Sequence, residues 1–180
     1  YVLTDSQEIA DVITKFFVIM TSEDCTNGTD RVMSVIGDEL FYDKYINVQG
    51  DTADPNLSVI KAVERALDKH YVIQAHKKMT PEGQKDPTVN KMVHTDNHVH
   101  WFVRSAIEYG DYALGYYGYT PEAKKRWDTF KQFPEEISEA NEALRWIQNG
   151  DTLKTVCVED DGIEINVMMD YWNWLKKNVE

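Results

Sequence analysis

Residues 94–119 carry the densest set of chemically capable side chains in this chain, with three of its five histidines, five of its ten tyrosines and three of its nine glycines. His94, Asp96, His98 and His100 occupy alternate positions. On an extended segment all four would share one face, and imidazole with carboxylate suits a divalent transition metal. On a helix only His94 and His98 would be neighbours, and the segment then reads as a polar lead-in capped by Asp96 or Asn97. Without a metal, His98 is the candidate acid or base, because an unperturbed imidazole titrates at about pH 6.5.

Arg104 and Glu108 follow at helical spacing, with Asp111 and Tyr112 extending that face and Trp101 one turn before the arginine. Turned inward, Arg104 would contact an anion, and Glu108 or Asp111 would orient His98 or act as the carboxylate catalyst. Trp101, Tyr109 and Tyr112 would then form stacking walls for a planar ligand. Turned outward, Arg104 and Glu108 make an exposed salt bridge worth under about 1 kcal/mol. Gly110, Gly115 and Gly118 interleave with tyrosines. A helix tolerates glycine at a cost of about 1 kcal/mol, which close backbone packing or a ligand against the helix would justify. The alternative is core tyrosines at a frayed helix end.

Glu135, Glu136, Glu139 and Glu142 lie three and four apart. They resemble the acidic helices that hold magnesium in all-helical nucleotide pyrophosphohydrolases. A second acidic pair on the next helix is missing, and a solvated acidic face at a helix N-terminus accounts for the same pattern. Glu159, Asp160, Asp161, Glu164 and Asp170 are irregularly spaced. The chain contains no P-loop, GxGxxG, nucleophile elbow or HExxH.

The elements that must position these groups read as mostly helical. An apolar stripe of Ile9, Val12, Ile13, Phe16, Phe17 and Met20 follows a capping-box spacing at Thr4 and Gln7. A second helix follows Asp30, and a third starts at Asp54-Pro55 and runs to about Lys78. Residues 79–96 read as a long loop, and a helix then covers His98 to about Gly115. Thr120-Pro121 and Pro134 open two more, the second stopped by Gly150. Residues 153–167 are a small hairpin or a loop, before a last helix with Met168, Met169, Trp172 and Leu175. The expected fold class is therefore mainly α: one domain over 1–180, a bundle of six to seven helices, with or without a small C-terminal β-hairpin.

The order Val93-His94, Asn97-His98, Trp101, Arg104-Ser105, Tyr109, Tyr112 resembles a helical bacteriophage family related to DNA glycosylases and linked to modified pyrimidines in phage DNA. The similarity spans about residues 57–127 and includes Tyr71. Val99 stands where that family has proline, the Trp-to-Arg spacing differs by one, and the later basic segment is shorter. The resemblance implies His98 and Arg104 beside a pocket for a pyrimidine base or nucleotide, with Trp101 or Tyr109 as its wall.

A chain of 180 residues that is 42% hydrophobic can bury a real core. A net charge of −12 repels polyanions and leaves no basic stripe for nonspecific nucleic-acid binding. Cys25 and Cys157 lack metal-site or redox spacing and read as free thiols of a cytoplasmic protein. No apolar run reaches the ~18–20 residues that span a bilayer, so no membrane partner is expected. The leading expectation is a nucleotide- or DNA-base-handling enzyme of phage type. A non-catalytic acidic inhibitor or DNA mimic facing a basic protein surface is the first rival, and a metal-dependent hydrolase using His94, Asp96, His98 and His100 is the second. The sequence identifies no cofactor and leaves the oligomeric state open.

Overall fold

The computed structural model describes residues 1–87, 89–159, 162–165 and 167–179. Its order begins β1 (Val2–Thr4), α1 (Gln7–Val12), β2 (Val18–Met20), α2 (Gly28–Met33), β3 (Tyr45–Val48), β4 (Thr52–Asp54) and α3 (Leu57–Ala66). It continues β5 (Val72–Lys77), α4 (Pro81–Lys85), β6 (Lys91–Thr95), β7 (His98–Val103), β8 (Asp111–Tyr119) and α5 (Pro121–Trp127). It ends α6 (Pro134–Ser138), α7 (Leu144–Gln148), β9 (Lys154–Val158), β10 (Ile163–Glu164) and α8 (Met168–Val179).

The main sheet has six strands in the order β3-β8-β5-β9-β7-β6. β5 and β9 are parallel and the other neighbours antiparallel. β6 also pairs with β8 through Lys91↔Tyr112 and Met92↔Asp111, so five strands close into a barrel-like ring with β3 outside it. Two small sheets, parallel β1-β2 and antiparallel β4-β10, flank it. Val59, Val63 and Leu67 of α3 and its cap pack on Ile73, Ala75, Leu114 and Tyr116. They come this close because β8 has glycine beneath them: a Cβ at Gly118 would stand 2.6 Å from Val63 Cγ1. The larger core gathers Met33, Met92, Phe102, Tyr119, Leu144, Trp146 and Leu153.

This is a mixed α/β fold, and it overturns the expected helical bundle. Residues 98–115 form β7, a loop and the first half of β8, not a helix. The Trp101, Arg104, Glu108 spacing coincides with a helical period, but β7 is aromatic and β-branched, which favours a pleated strand. Most of β8 is buried, so its tyrosines show no alternation to read. The third helix stops at Ala66, and Val72–Lys77, buried over five of six residues, is a strand. A short apolar run cannot be separated from a helix by periodicity alone. Near the N-terminus Ser6 is the cap, only Gln7–Val12 is helical, and Val18–Met20 pairs with β1. The expected hairpin is also absent: β9 joins the main sheet and β10 joins β4. Asp160 and Asp161, placed in its turn, lie outside the described residues. Helices do begin at Pro121, Pro134 and Met168, and Gly150 has the positive φ of 75° that suits a helix stop, but the single helix expected from Pro134 to Gly150 is two, α6 and α7, interrupted where Ala140 takes φ 47°. Among the described residues no helix is long and apolar enough to cross a membrane.

Candidate functional site

Gln49, Gly50 and Asp51 link β3 to β4, and Gln49 lines two cavities. One, of about 620 Å³, is walled by Val32, Val35, Tyr45 and Ile46, with Arg31, Asn47 and Gln49 supplying polar groups. The other, of about 510 Å³, is bordered by Asp51, Gln74, Asn90, Arg104, Glu142 and Glu164. Backbone pairing holds this wall together. The Gln49 amide donates to the Gly115 carbonyl at 2.9 Å, and the Gly115 amide donates to Glu164 Oε1 at 3.2 Å. The Ile165 amide donates to the Asp51 carbonyl at 2.8 Å. Two carboxylates more than a hundred positions apart thereby reach one cavity. A Cβ at Gly115 would lie 2.6 Å from Gln49 Oε1, so any side chain here displaces Gln49.

The second cavity is rich in hydrogen-bond acceptors. Gln74, 1% exposed, donates through Nε2 to the Leu114 carbonyl and the Tyr117 hydroxyl, both at 3.1 Å. Among the described residues its Oε1 has no partner, and neither has Asn90 Oδ1. Orphaned buried acceptors are uncommon, because leaving one unmade costs about 1–3 kcal/mol. Burial raises the Glu142 carboxyl above its ordinary range against hydrogen bonds that lower it, including one from Thr29 Oγ1 at 3.2 Å. Burial also drives the Tyr117 hydroxyl well up, keeping it protonated. Lys91 is 0% exposed, and its ammonium donates to the carbonyls of Asp86, Val89 and Arg104, the last two at 2.9 and 3.2 Å. Burial lowers its pKa.

Of the residues singled out by sequence, Arg104 and Tyr112 line this cavity. Arg104 does not pair with Glu108, which is exposed. Its Nε donates to the Glu139 carbonyl at 2.9 Å and its amide to Glu139 Oε2 at 3.2 Å. Trp101 packs against the core and Tyr109 is exposed. His98 and His100 stack on each other, ring centroids 5.1 Å apart. The alternate-position set therefore divides: Asp96 sits in a turn at φ 52°, while His94 bonds Asp111 at 2.9 Å. Burial raises Asp111, but hydrogen bonds from Lys78 and His94 outweigh it and hold the carboxyl below its usual range.

The four glutamates do not form one acidic face. Glu136 is buried against Arg145, with Arg145 Nη2 at 2.6 Å from its Oε1, while Arg145 Nη1 meets Asp30 Oδ1 at 2.8 Å. Glu139 holds Arg104, Glu142 faces the cavity, and Glu135 accepts from Gln148. Sequence reasoning passed over Gln49, Asp51 and His76, and left Gln74 inside the expected third helix. The available signal was the Gln-Gly-Asp turn after an apolar strand.

A family model described as Cytidylyltransferase matches residues 1–145. The 3-deoxy-manno-octulosonate cytidylyltransferase of Rickettsia typhi is 33% identical over 194 residues, spanning 100% of this chain and 78% of that protein. The enzyme of the same name from Rickettsia prowazekii is 33% identical over 192 residues, spanning 100% and 76%. Among solved structures, a CMP:2-keto-3-deoxy-manno-octonic acid synthetase complexed with CTP superposes with a TM-score of 0.84 at 22% identity, over 99% of this chain and 80% of that one. HddC from Yersinia pseudotuberculosis gives 0.69 at 17% identity, over 98% and 77%. These likenesses overturn the phage glycosylase kinship and, with it, the DNA-mimic reading. The residues that suggested the phage family run along strands and a loop, so they do not share one helical face. The broader expectation of a nucleotide-handling enzyme stands, in a different family.

Proposed function

The chain belongs to the cytidylyltransferase family, and from that premise we propose that it couples CTP to an anionic, polyhydroxylated sugar acid of the 3-deoxy-manno-octulosonate class. A sugar hydroxyl oxygen attacks the α-phosphorus of CTP, the bond to the β-phosphate oxygen breaks, and pyrophosphate leaves. The products are the CMP-sugar and pyrophosphate, with the hydroxyl proton passing to solvent or a nearby carboxylate. The observation that carries this reading is the pair of orphaned buried oxygens, Gln74 Oε1 and Asn90 Oδ1, in the cavity bordered by Arg104. Both accept hydrogen bonds, as the hydroxyls of a sugar require, while the Arg104 guanidinium on the same wall favours its carboxylate.

In this reading the nucleotide takes the cavity beneath β3, where Asn47 and Gln49 offer amides to a base against apolar walls. The turn at Gly50 lets the α-phosphate approach the acceptor between the two cavities. Magnesium is ordinarily held by one or two carboxylates plus substrate phosphates. Asp51 and Glu164 on the cavity wall fit that donor set, and the ion would supply charge neutralisation for the departing pyrophosphate. The residues themselves do the positioning: Gln74 and Asn90 orient hydroxyls, and the Gly115 backbone keeps Gln49 and Glu164 in place.

The test is pyrophosphate release from this chain with magnesium, CTP and a panel of sugar acids. Release with CTP and 3-deoxy-manno-octulosonate, lost on replacing CTP by ATP and reduced in Gln74→Leu, is the expected result. Release that is indifferent to the acceptor, or no release with any acid, would overturn it.

A further inference from the structure

A third cavity of about 760 Å³ shares no lining residue with the two just described. At its edge His76 of β5, His94 of β6 and Asp111 of β8 each offer a ligand atom, all within 4.8 Å of one another. His94 Nε2 lies 2.9 Å and His76 Nε2 lies 3.7 Å from the same Asp111 oxygen. Tetrahedral zinc with bonds near 2.0–2.1 Å separates its ligands by about 3.3 Å, between those two values.

The outer nitrogens are already committed. Thr155 Oγ1 donates to the Gln74 carbonyl at 2.7 Å, so its 2.6 Å contact with His76 Nδ1 must be an N–H donation from the ring. His94 Nδ1 lies 2.8 Å from the Asp96 carbonyl, which only accepts. Histidines that ligate metals characteristically donate their second N–H to an oxygen in this way. The His76 Nε2 lone pair is left facing the carboxylate. A neutral His94 can donate to Asp96 or to Asp111 but not to both, so a positive species, metal or proton, is needed between His94 and Asp111. Lys78 Nζ also reaches Asp111, at 2.7 Å, but its side chain is 75% exposed and free to withdraw.

We propose that His76 Nε2, His94 Nε2 and an Asp111 carboxylate oxygen bind one divalent transition metal of the zinc type. Two imidazoles and a carboxylate suit this class, and three protein ligands leave a position open to water or an anion. His76 and His94 line the cavity that also carries Arg65 and Lys69. The ion ties together three strands at the point where β6 and β8 close the ring through only two residue pairs. It acts as a clip, separate from the cytidylyl-transfer cavities.

The experiment is titration of chelator-treated protein with zinc, read by elemental analysis and thermal shift, and with cobalt, read by visible absorption. Expected are one equivalent per chain, a rise in Tm, and the intense bands of four- or five-coordinate cobalt. Asp111→Asn and His94→Ala, verified as folded by circular dichroism, should each weaken binding at least tenfold. His98→Ala and His100→Ala should leave it unchanged. Absence of stoichiometric binding to the folded wild-type chain would overturn the proposal. So would weak six-coordinate cobalt bands, which the wild-type chain reports even if a variant fails to fold, or binding lost with His98 or His100 instead.

Discussion

Two acidic clusters lie close together and are treated oppositely. In one, Asp30 and Glu136 are clamped by Arg145, which also lies over the Trp127 ring at 4.1 Å, and the Trp127 indole donates to Asp30 at 2.9 Å. Every charge there is answered inside the protein. In the other, Asp51, Glu142 and Glu164 border a cavity beside unpartnered amide oxygens. The closed cluster spends its polar groups on holding α2, α6 and α7 together, whereas beside the open one Gln74 Oε1 and Asn90 Oδ1 have no partner among the described residues. Acidity is shared by both, so what separates them is the neutral amide oxygens left unanswered at the second.

The sharpest break of this contrast is Arg145→Ala. It strands two partly buried carboxylates, and breaking a buried pair costs about 3–5 kcal/mol. Urea denaturation should show that loss, with any surviving folded enzyme keeping its kcat. Asp51→Asn should do the reverse: a fall of roughly a hundredfold or more in kcat, of the size seen when transition-state charge stabilisation is removed, with an unchanged urea midpoint. A stability loss matching the activity loss would erase the distinction.

Two glycines sharpen it further. Gly118→Ala drives a methyl into Val63 and Leu67 and should cost about 1–3 kcal/mol, as overpacking does, leaving KM nearly unchanged. Gly115→Ala pushes on Gln49 instead and should raise KM more than it lowers Tm. Steady-state kinetics and a melting curve on both variants check this.

The smallest effects are in pH dependence, and their signs oppose. Burial raises Asp30, but hydrogen bonds from Thr26 and Arg145 outweigh it and its pKa is lowered. Its stabilisation is therefore complete above the unfolded carboxylate value and fades as pH falls through the folded one. The penalty of Asp30→Asn should accordingly shrink in acid. Glu142 is raised, so the fold favours its protonated form. That contribution is present below the unfolded value and lost as pH rises through the folded one. Glu142→Gln should gain on the wild type with rising pH. Denaturation across the acid range, with parallel trends for both variants, would refute the contrast.

How much of this was legible varies by residue. Pro121, Pro134 and Gly150 marked helix boundaries because proline and positive-φ positions act locally. The first half of β8, Asp111 to Gly115, was read as the end of a helix because a mostly buried strand has no period to oppose that reading. Arg104 and Tyr112 were picked out and do line the cavity, but the partner assigned to Arg104 was wrong: Glu139, thirty-five positions away, replaces Glu108. His94 and Asp111 were each noticed, in separate constellations, and His76 between them in space was not.

Features that depend on neighbours in the chain can be read without coordinates: the caps, the proline starts, the absence of a basic stripe, and a region dense in histidine and tyrosine. Which of those groups meet is settled by the packed fold. Sheet pairing brings Asp51 to Glu164 and His76 to His94 and Asp111 across long separations, and such contacts follow from strand order and register, which local periodicity does not encode. The same packing decided that Glu136 is sealed and Glu142 faces a cavity, because burial and hydrogen-bond satisfaction belong to the folded surroundings rather than to the residue.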